Sequence, residues 1–544
     1  MRSRIVPVFA ERAGRPVVMG RRWAIASGHP VATWAGARML ERGGRAIDAA
    51  LAIAAALNVV EPHMSGLGGD LAALVIDSRT GQAWAIDGIG LVPLEATPER
   101  FRDGIPEHGP LTVAVPAAAR AWELLYTRWG TLPLREILAP AIELAADGFP
   151  VSHNLSAYLA AYTDRLTTDE WAARTFVPAG RPPQPGDILR QPHLARTFEI
   201  LATAGFAELY RGRLAEQLVR SLRQAGGVLS TESLALAEAK PEPPLQLGYR
   251  EWTVWAPPSS IGAQELLLTL ALLDRFPVAG WKPLSAELLH VMIEATKLAE
   301  VERERWTANS HAPTPLPAEA LDPAHAQALA RTIDLRRSTP RHAAERRERT
   351  ATTAFVVVDS TRLAIVGTAS LHEPFGSGFV AGDTGILLNN ALVSRTLDPQ
   401  APYRLAPGSR VRHALSPIAV TGNRTLIGIG SSGGDAQPHV LVHVLTHLLE
   451  FGFSAQEAVE LPRWRFRRSG RAAVSSRGAD GLVEVEGRLP NATIEGLQAR
   501  GHRVERLPRW GPIGSCQLVL RRGDRDIALE AAADPRSDAY ALAW

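Results

Sequence analysis

The sequence contains very little cysteine and no long apolar run. Its single cysteine, Cys516, excludes an intrachain disulfide and a metal site built from several thiolates. Every apolar segment is shorter than the about 18 residues that a membrane-spanning helix requires, and the first residues lack the apolar core of a secretory signal. We therefore expect a cytoplasmic protein that does not bind membranes.

The chain also has no large excess of charge of either sign. The chain has 59 basic and 56 acidic side chains, which give a formal net charge of +3. Basic residues are concentrated only between Arg331 and Arg349, and such a run is more typical of a solvated loop than of a nucleic-acid surface. We expect no nucleic-acid partner.

Motifs for nucleotides and metals are absent as well. The SGLGGD segment (65–70) lacks the G-x-G-x-x-G spacing and follows a predicted helix instead of a strand, and the chain contains no P-loop sequence. His63, His290 and His439 do not have the spacing of metal ligands, so a structural role is expected for each. The sequence thus predicts neither a cofactor nor a metal site.

The chain does have the composition of a globular enzyme, with 46% hydrophobic and 21% charged residues, and its texture changes near residue 350. Before that point helical patterns predominate, such as the alanine-rich segment 46–60 and the amphipathic segment 132–149. A leucine-rich helix is predicted at 265–274. After residue 350, apolar runs separated by short turns predict a largely antiparallel sheet, followed by a long helix from His439.

Two threonines, Thr352 and Thr353, begin the first of these later strands, directly behind the basic tract. A hydroxyl needs a base to act as a nucleophile, and no histidine lies near the start of this strand. In one solution the nucleophile is the first residue of a cleaved chain, and its own α-amine, with a reference pKa of about 7.7–8.0, is the base. Threonine is also common at the start of a strand, so the residues alone leave both interpretations open.

A second candidate is the glycine pair Gly433 and Gly434, within GIGSSGGDAQPH (428–439). The pair follows a predicted strand and precedes a predicted helix, where free backbone N–H groups and the helix dipole favour negative charge. Such groups can stabilise the oxyanion of an acyl-transfer reaction. A strand-to-helix turn with an unusual backbone conformation would require glycine equally.

Eight segments resemble the gamma-glutamyltransferases (gamma-glutamyltranspeptidases), a family of N-terminal nucleophile hydrolases, and they occur in the family's order across nearly the whole chain. The matching segments are GGRAIDAALAIAAALNVVEPHMSGLGGD, GPLTVAVP, LPLREILAPAIELAADGF, APPSSIGAQELL, FGSGFVAGDTGILLNN, LSPIAV, GSSGGDAQ and ELPRWRF. Eight ordered matches are far more specific than any one strand or turn.

This resemblance implies an α+β fold, the four-layer αββα sandwich, made as a precursor that cleaves itself. The large fragment would be residues 1–351 and the small fragment residues 352–544, and both would form one body. The TTAFVVVD strand identifies Thr352 as the nucleophile. Ser370 is implied to support its hydroxyl, and Gly433 and Gly434 to bind the oxyanion.

The resemblance also implies a small-molecule amide or gamma-glutamyl-type substrate and no cofactor. The residues that fall at substrate-binding positions are His372, Asn390, His413 and Ser432. No partner is implied beyond the substrate and the other fragment of the same precursor.

The sequence departs from the family where the family holds a glutamyl group. The departures are Ala354 for a histidine, Ile89 for an arginine that binds the α-carboxylate, ALVS (391–394) for an acidic motif, His413-Ala414 for a serine pair and His372 for an asparagine. Because the charged groups that fix a zwitterionic amino acid are lost, a different small amide is expected. Family relatives of that kind include oxamate hydrolases and cephalosporin acylases.

The expected function is therefore a self-processing amide hydrolase or acyltransferase with an altered pocket. The Thr352 hydroxyl would attack the carbonyl and the Thr352 α-amine would carry the proton. The alternative is an unprocessed, catalytically silent scaffold or ligand-binding protein with the same fold.

Overall fold

The structure is a computed structural model, and it describes residues 14–307, 314–341, 351–401, 403–468, 481–523 and 528–544. Residues 342–350, which include the end of the basic tract predicted to be a solvated loop, lie outside the described residues. Among the helices that are described, none is both long and apolar enough to cross a membrane.

The strands of the described residues form two large sheets and two small ones. In chain order they are β1 (Val18–Gly20), β2 (Ala24–Ser27), β3 (Asp70–Asp77), β4 (Gln82–Gly88), β5 (Phe149–Pro150), β6 (Ile188–Leu189), β7 (Lys240–Glu242), β8 (Leu245–Tyr249), β9 (Trp252–Ala256), β10 (Ala351–Val358), β11 (Leu363–His372), β12 (Ile418–Gly422), β13 (Thr425–Ser431), β14 (Trp464–Arg468), β15 (Gly481–Val485), β16 (Val504–Arg506), β17 (Cys516–Arg522), β18 (Leu529–Ala533) and β19 (Tyr540–Ala543).

The α-helices cover both large sheets and the region between β4 and β7. In chain order they are α1 (Pro30–Glu41), α2 (Ala46–Val60), α3 (Ala118–Trp129), α4 (Leu134–Asp147), α5 (His153–Ala161), α6 (Thr163–Leu166), α7 (Glu170–Phe176), α8 (Pro192–Ala204), α9 (Glu208–Arg211), α10 (Arg213–Gln224), α11 (Thr231–Ala235), α12 (Ile261–Leu273), α13 (Ala286–Thr307), α14 (Pro323–Ala330), α15 (Gln437–Glu450), α16 (Ala455–Glu460) and α17 (Asn491–Ala499).

The two large sheets pack face to face, with helices on both outer faces. One sheet has the order β19-β2-β10-β11-β3-β4-β7, and the other has the order β1-β18-β17-β13-β12-β9-β8. Strands β10 and β11 contact β13, while α2 packs on the outer side of β10 and β11 and α15 on the outer side of β13. The predicted four-layer αββα sandwich is confirmed.

Both large sheets contain strands from before and from after residue 351. Strand β10 pairs with β2 on one side and β11 on the other, and β11 in turn pairs with β3. All these pairs are antiparallel, as the sequence predicted for the later strands. The change from helical to strand patterns near residue 350 therefore does not mark a boundary between two separate cores.

Local signals explain where the helices begin and end. Helix α2 covers the predicted alanine-rich segment 46–60, and α4 ends at Gly148, whose φ of +92° suits glycine. Helix α12 begins at Ile261, four residues before the predicted segment. It does so because the Ser260 hydroxyl accepts a hydrogen bond from Ala263 N at 3.1 Å and caps the first turn.

Candidate active site

Thr352 lies at an irregularity in the pairing of β10 with β11. Ala351 is opposite His372, but Thr353 is opposite Ala369, so the register shifts by one residue between them. Thr352 alone therefore faces two residues of β11, Ser370 and Leu371. Such bulges reorient a side chain at the edge of a sheet and are common beside active sites.

The Thr352 hydroxyl lies against the carbonyl of the preceding residue. Thr352 Oγ1 donates a hydrogen bond to Ala351 O at 2.6 Å, and Ser370 Oγ donates to the same oxygen. Ser370 Oγ also accepts from His372 N at 2.8 Å, so the Ser370 proton is directed at Ala351 O. The two hydroxyls thus converge on the Ala351–Thr352 peptide bond.

The glycine pair forms the turn between β13 and α15, as the sequence predicted. Gly433 has φ of +114° and Gly434 has φ of +56°, both in the region that favours glycine. A Cβ on Gly433 would lie 3.0 Å from Gly514 Cα, so the turn also needs a small residue there. Gln437, at the start of α15, donates to Thr352 Oγ1 at 3.5 Å, which brings the turn up to the hydroxyl.

A narrow cavity opens beside Thr352. Its walls are formed by Ala351, Thr352, Ser370, His372, Arg412, His413, Ala414, Gly434, Asp435 and Gln437. Ser432 lines a second narrow cavity that Thr352 also borders. The structure thus places the predicted residues Thr352, Ser370, His372, His413 and Gly434 around one space.

Asn390 is not part of that cavity wall. Its side-chain amide donates to Glu373 Oε2 at 3.0 Å and to Glu107 O at 3.2 Å, and its oxygen accepts from Glu373 N at 3.2 Å. These bonds hold the segment that follows β11. The side-chain amide of Asn390 therefore fixes the backbone at Glu373, the residue that follows His372.

Two histidines of the cavity lie beside a buried aspartate, Asp70. Asp70 Oδ2 is 3.5 Å from His372 Nε2 and 3.6 Å from His413 Nε2, and the two imidazole centroids are 4.3 Å apart. Burial raises the pKa of the Asp70 carboxyl to about 8, although Gly90 N donates to it. The sequence analysis did not identify Asp70, because it is brought to the histidines only by the pairing of β3 with β11 and by the loop before β12.

A second buried carboxyl lies behind the nucleophile. Thr353 Oγ1 donates to Glu61 Oε2 at 2.7 Å. Burial raises the pKa of Glu61 to about 7, the bond from Thr353 opposes that shift, and the charge of Asp538 adds to it. A protonated Glu61 is therefore the more stable form in the folded chain below about pH 7.

Apolar packing occupies the region where the family's charged clamp is missing from the sequence. Ile89 is 8% exposed and belongs to one apolar cluster with Ala391 and Leu392. Nearby, Asp87 pairs with Arg410 at 2.6 Å and accepts from Ser259 Oγ at 2.6 Å. Charged groups in this region are therefore engaged with one another.

Other cavity residues were not singled out from the sequence. Gln437 and Asp435 belong to the GSSGGDAQ segment, which was the available signal for them, whereas Arg412 had none. Arg412 Nη2 lies 3.3 Å from Asp435 Oδ1, so the two charges of this wall form an ion pair.

Comparisons with known proteins agree with this arrangement. A family model described as Gamma-glutamyltranspeptidase matches residues 32–544. The Glutathione hydrolase-like YwrD proenzyme of Bacillus subtilis (strain 168) is 32% identical over 532 residues, which cover 96% of this chain and 99% of that protein. The Oxamate amidohydrolase proenzyme of Klebsiella pneumoniae is 34% identical over 528 residues, which cover 95% of this chain and 97% of that protein.

Solved structures show the same relationship. The crystal structure of cephalosporin acylase from Bacillus halodurans has a TM-score of 0.88 and 30% sequence identity, with 100% of this chain and 99% of that chain covered. The sequence matches and the shared fold both extend over the whole β10–β11 region. The chain therefore belongs to the gamma-glutamyltranspeptidase family, and it is a self-processing enzyme that hydrolyses or transfers amide-linked acyl groups.

Proposed function

We propose that Thr352 is the nucleophile and that self-cleavage of the Ala351–Thr352 bond produces fragments 1–351 and 352–544. The observation that carries this proposal is the convergence of the Thr352 and Ser370 hydroxyls on Ala351 O. The proenzyme names of the relatives support cleavage of a precursor.

Cleavage begins with attack of Thr352 Oγ on the Ala351 carbonyl carbon. The C–N bond breaks, an ester forms between Ala351 and the Thr352 side chain, and the nitrogen takes up the proton that Oγ loses. Water then hydrolyses the ester, which frees the Ala351 carboxylate and the Thr352 hydroxyl. Ser370 donates to the oxygen on which negative charge develops.

The mature site uses the same hydroxyl on an external amide. The new α-amine of Thr352 accepts the Oγ proton and returns it to the leaving amine. The N–H groups of Gly433 and Gly434 stabilise the oxyanion at the start of α15. Water or a second amine then releases the acyl group.

The substrate is an amide whose small acyl group is not held as a zwitterionic amino acid. Ile89, Ala391 and Leu392 stand where a carboxylate clamp and an ammonium partner would be needed, and they pack into one buried apolar cluster instead. His372, His413 and Ser432 are proposed to contact the substrate, since each borders a cavity that Thr352 also lines. Asn390 is proposed to position the His372 segment.

The intact mass of the freshly purified protein under denaturing conditions tests this function. Wild type and Thr352→Ser should give two fragments that meet at Ala351–Thr352, whereas Thr352→Ala should give one uncut chain. Cleaved wild type should then hydrolyse small acyl amides faster than a gamma-glutamyl anilide.

A single chain in all three proteins would contradict the proposal and favour the silent scaffold. Cleavage in Thr352→Ala at the same bond would exclude Thr352 as the nucleophile. Rapid turnover of the gamma-glutamyl anilide would contradict the proposed substrate class without affecting the cleavage result.

A further inference from the structure

We propose that Asp70, His372 and His413 form a binding site for one divalent transition-metal ion on the wall of the Thr352 cavity. The three residues are 1%, 4% and 6% exposed, and their ligand atoms all lie within 4.8 Å of one another. Two imidazoles and one carboxylate are a common protein ligand set for zinc and for other first-row divalent ions.

The distances suit coordination better than hydrogen bonding. Asp70 Oδ2 is 3.5 and 3.6 Å from the two imidazole nitrogens, which is too long for good hydrogen bonds. Ligand atoms that bind zinc tetrahedrally at about 2.0–2.2 Å lie roughly 3.4 Å from one another. An ion can therefore enter with only small movements of the side chains.

Asp70 has a carboxyl oxygen available to a cation, and coordination would displace the proton that burial favours on this group. Its Oδ1 accepts from Gly90 N at 2.8 Å, but Oδ2 has no hydrogen-bond partner among the described residues. The nearby Arg410 guanidinium is paired with Asp87 at 2.6 Å, so it is engaged elsewhere. A buried carboxylate oxygen without a donor is costly in a protein interior, and a bound ion removes that cost.

The position of the site gives it access to substrate. Both imidazoles line the cavity that contains the Thr352 hydroxyl, while Asp70 lies behind them. Three protein ligands leave at least one coordination position for water or for a substrate oxygen. A metal here would bind the acyl group of the substrate through oxygen, beside the nucleophile.

Metal titration of the full-length protein tests this assignment without any turnover. Protein treated with EDTA and then freed of chelator should bind one Co²⁺ per chain with visible d–d absorption, and Zn²⁺ should displace it at the same stoichiometry. Asp70→Asn and His413→Gln should each weaken Zn²⁺ binding at least tenfold. Thr352→Ala should bind as wild type does, which separates this result from the nucleophile assignment.

The matched control is His502→Gln. Within the part of the chain that the structure describes, His290, Glu294 and His502 form a second buried group with metal-ligand geometry. His290 and His502 are hydrogen-bonded to each other at 2.7 Å, and Glu294 is bonded to Lys297 at 2.8 Å. This variant should retain the affinity of wild type.

Three results would overturn the assignment. The first is that wild type binds no stoichiometric metal. The second is that Asp70→Asn and His413→Gln bind metal as tightly as wild type, and the third is that His502→Gln loses binding. If wild type binds no metal but its metal-free form binds formate, and if both substitutions abolish formate binding, the three residues form an anion site instead. Near-UV circular dichroism of each variant verifies folding, and two independent ligand substitutions keep the test decisive if one variant fails to fold.

Discussion

The Ser370 hydroxyl has a fixed orientation in the folded chain. Its oxygen is occupied by the N–H of His372, so its proton points to the Ala351 oxygen. A donor that is fixed before the reaction needs no reorganisation when charge develops on its acceptor. The role of Ser370 in cleavage is therefore separable from the role of Thr352.

Replacement of Ser370 by alanine should slow self-cleavage by about 10²–10³-fold, because one oxyanion donor is removed. The measurement is the rate at which the purified precursor converts to two fragments, followed by denaturing electrophoresis. Ser370→Thr keeps the hydroxyl and should retain most of the rate. Ser377→Ala removes another buried serine, which donates to Leu388 O at 2.8 Å, and should cleave normally; equal slowing in both alanine variants would contradict the role.

Glu61 should make the stability of the protein depend on pH. Burial raises the pKa of Glu61 from the usual glutamate value of 4.5 to about 7, so the folded state binds the proton more tightly than the unfolded state. The free energy of unfolding should therefore fall as pH rises from about 4.5 to 7, by roughly 3 kcal/mol from this group.

Denaturant unfolding of Glu61→Gln at several pH values measures that contribution. The variant should lack this part of the decline, since glutamine does not titrate. Glu170→Gln, at an exposed position of α7, should show the decline of wild type. Parallel curves for wild type and Glu61→Gln would show that Glu61 does not titrate in this range.

Several site residues were within reach of the sequence and others were not. Continuous sequence segments contain Thr352, Ser370 and the glycine pair, so the ordered resemblance of the chain to the family is enough to find them. Asp70 and His413 meet only after the sheet has formed. Neither residue spacing nor composition predicts that contact. The expectation of no metal site rested on the spacing of His63, His290 and His439 along the chain.

The turn from Gly433 to Ala436 connects the sheet to α15 and depends on backbone conformation. Gly433 has φ of +114° and approaches Gly514 closely. Residues with a Cβ are strained at such angles by about 1–3 kcal/mol. The positions of the Gly434 backbone and of Gln437 follow from this turn.

Gly433→Ala should therefore impair hydrolysis by the cleaved enzyme at least tenfold while the fold is retained. The measurement is the turnover of a responsive amide together with the midpoint of thermal unfolding. Gly452→Ala is the control, because Gly452 also has positive φ, +69°, but its Cβ would meet open space. It should lose stability and keep its activity; equal activity losses in the two variants would contradict the role of the turn.

Helices and strands were predictable to different degrees for physical reasons. Helix α2 was found along its whole length, because an uninterrupted alanine-rich run has a strong intrinsic preference. The start of α12 was missed, because a single serine cap decides it. Strands β8 and β9 were not identified, since short strands whose pairing partners are distant in sequence have a weak local signal.

The two proposed fragments contribute strands to the same sheets. Strands β2 and β3 come from the large fragment, and they enclose β10 and β11 of the small one. Cleavage of the peptide bond between the first two residues of β10 should leave these hydrogen bonds and the apolar core between the sheets in place. We therefore expect the cleaved protein to remain one folded body.

Cleaved wild type should elute from size exclusion at the volume of uncut Thr352→Ala, with both fragments in the same fractions. Separation of the fragments should require denaturant, because the buried strand pairs must unfold first. Denaturing electrophoresis of each fraction shows the composition. A small fragment that elutes alone in native buffer would contradict a shared core.

Ala351 is part of the wall of the cavity that later accepts substrate. On the proposed chemistry, the enzyme's own backbone is therefore the first acyl group that every copy must process. A lineage that loses Thr352 cannot release its mature form and one that loses Ser370 releases it slowly, whereas Ile89 and residues 391–394 lie outside that wall and are free to diverge. The need for self-cleavage thus preserves the groups that carry out the reaction, while the residues that determine the range of substrates can change.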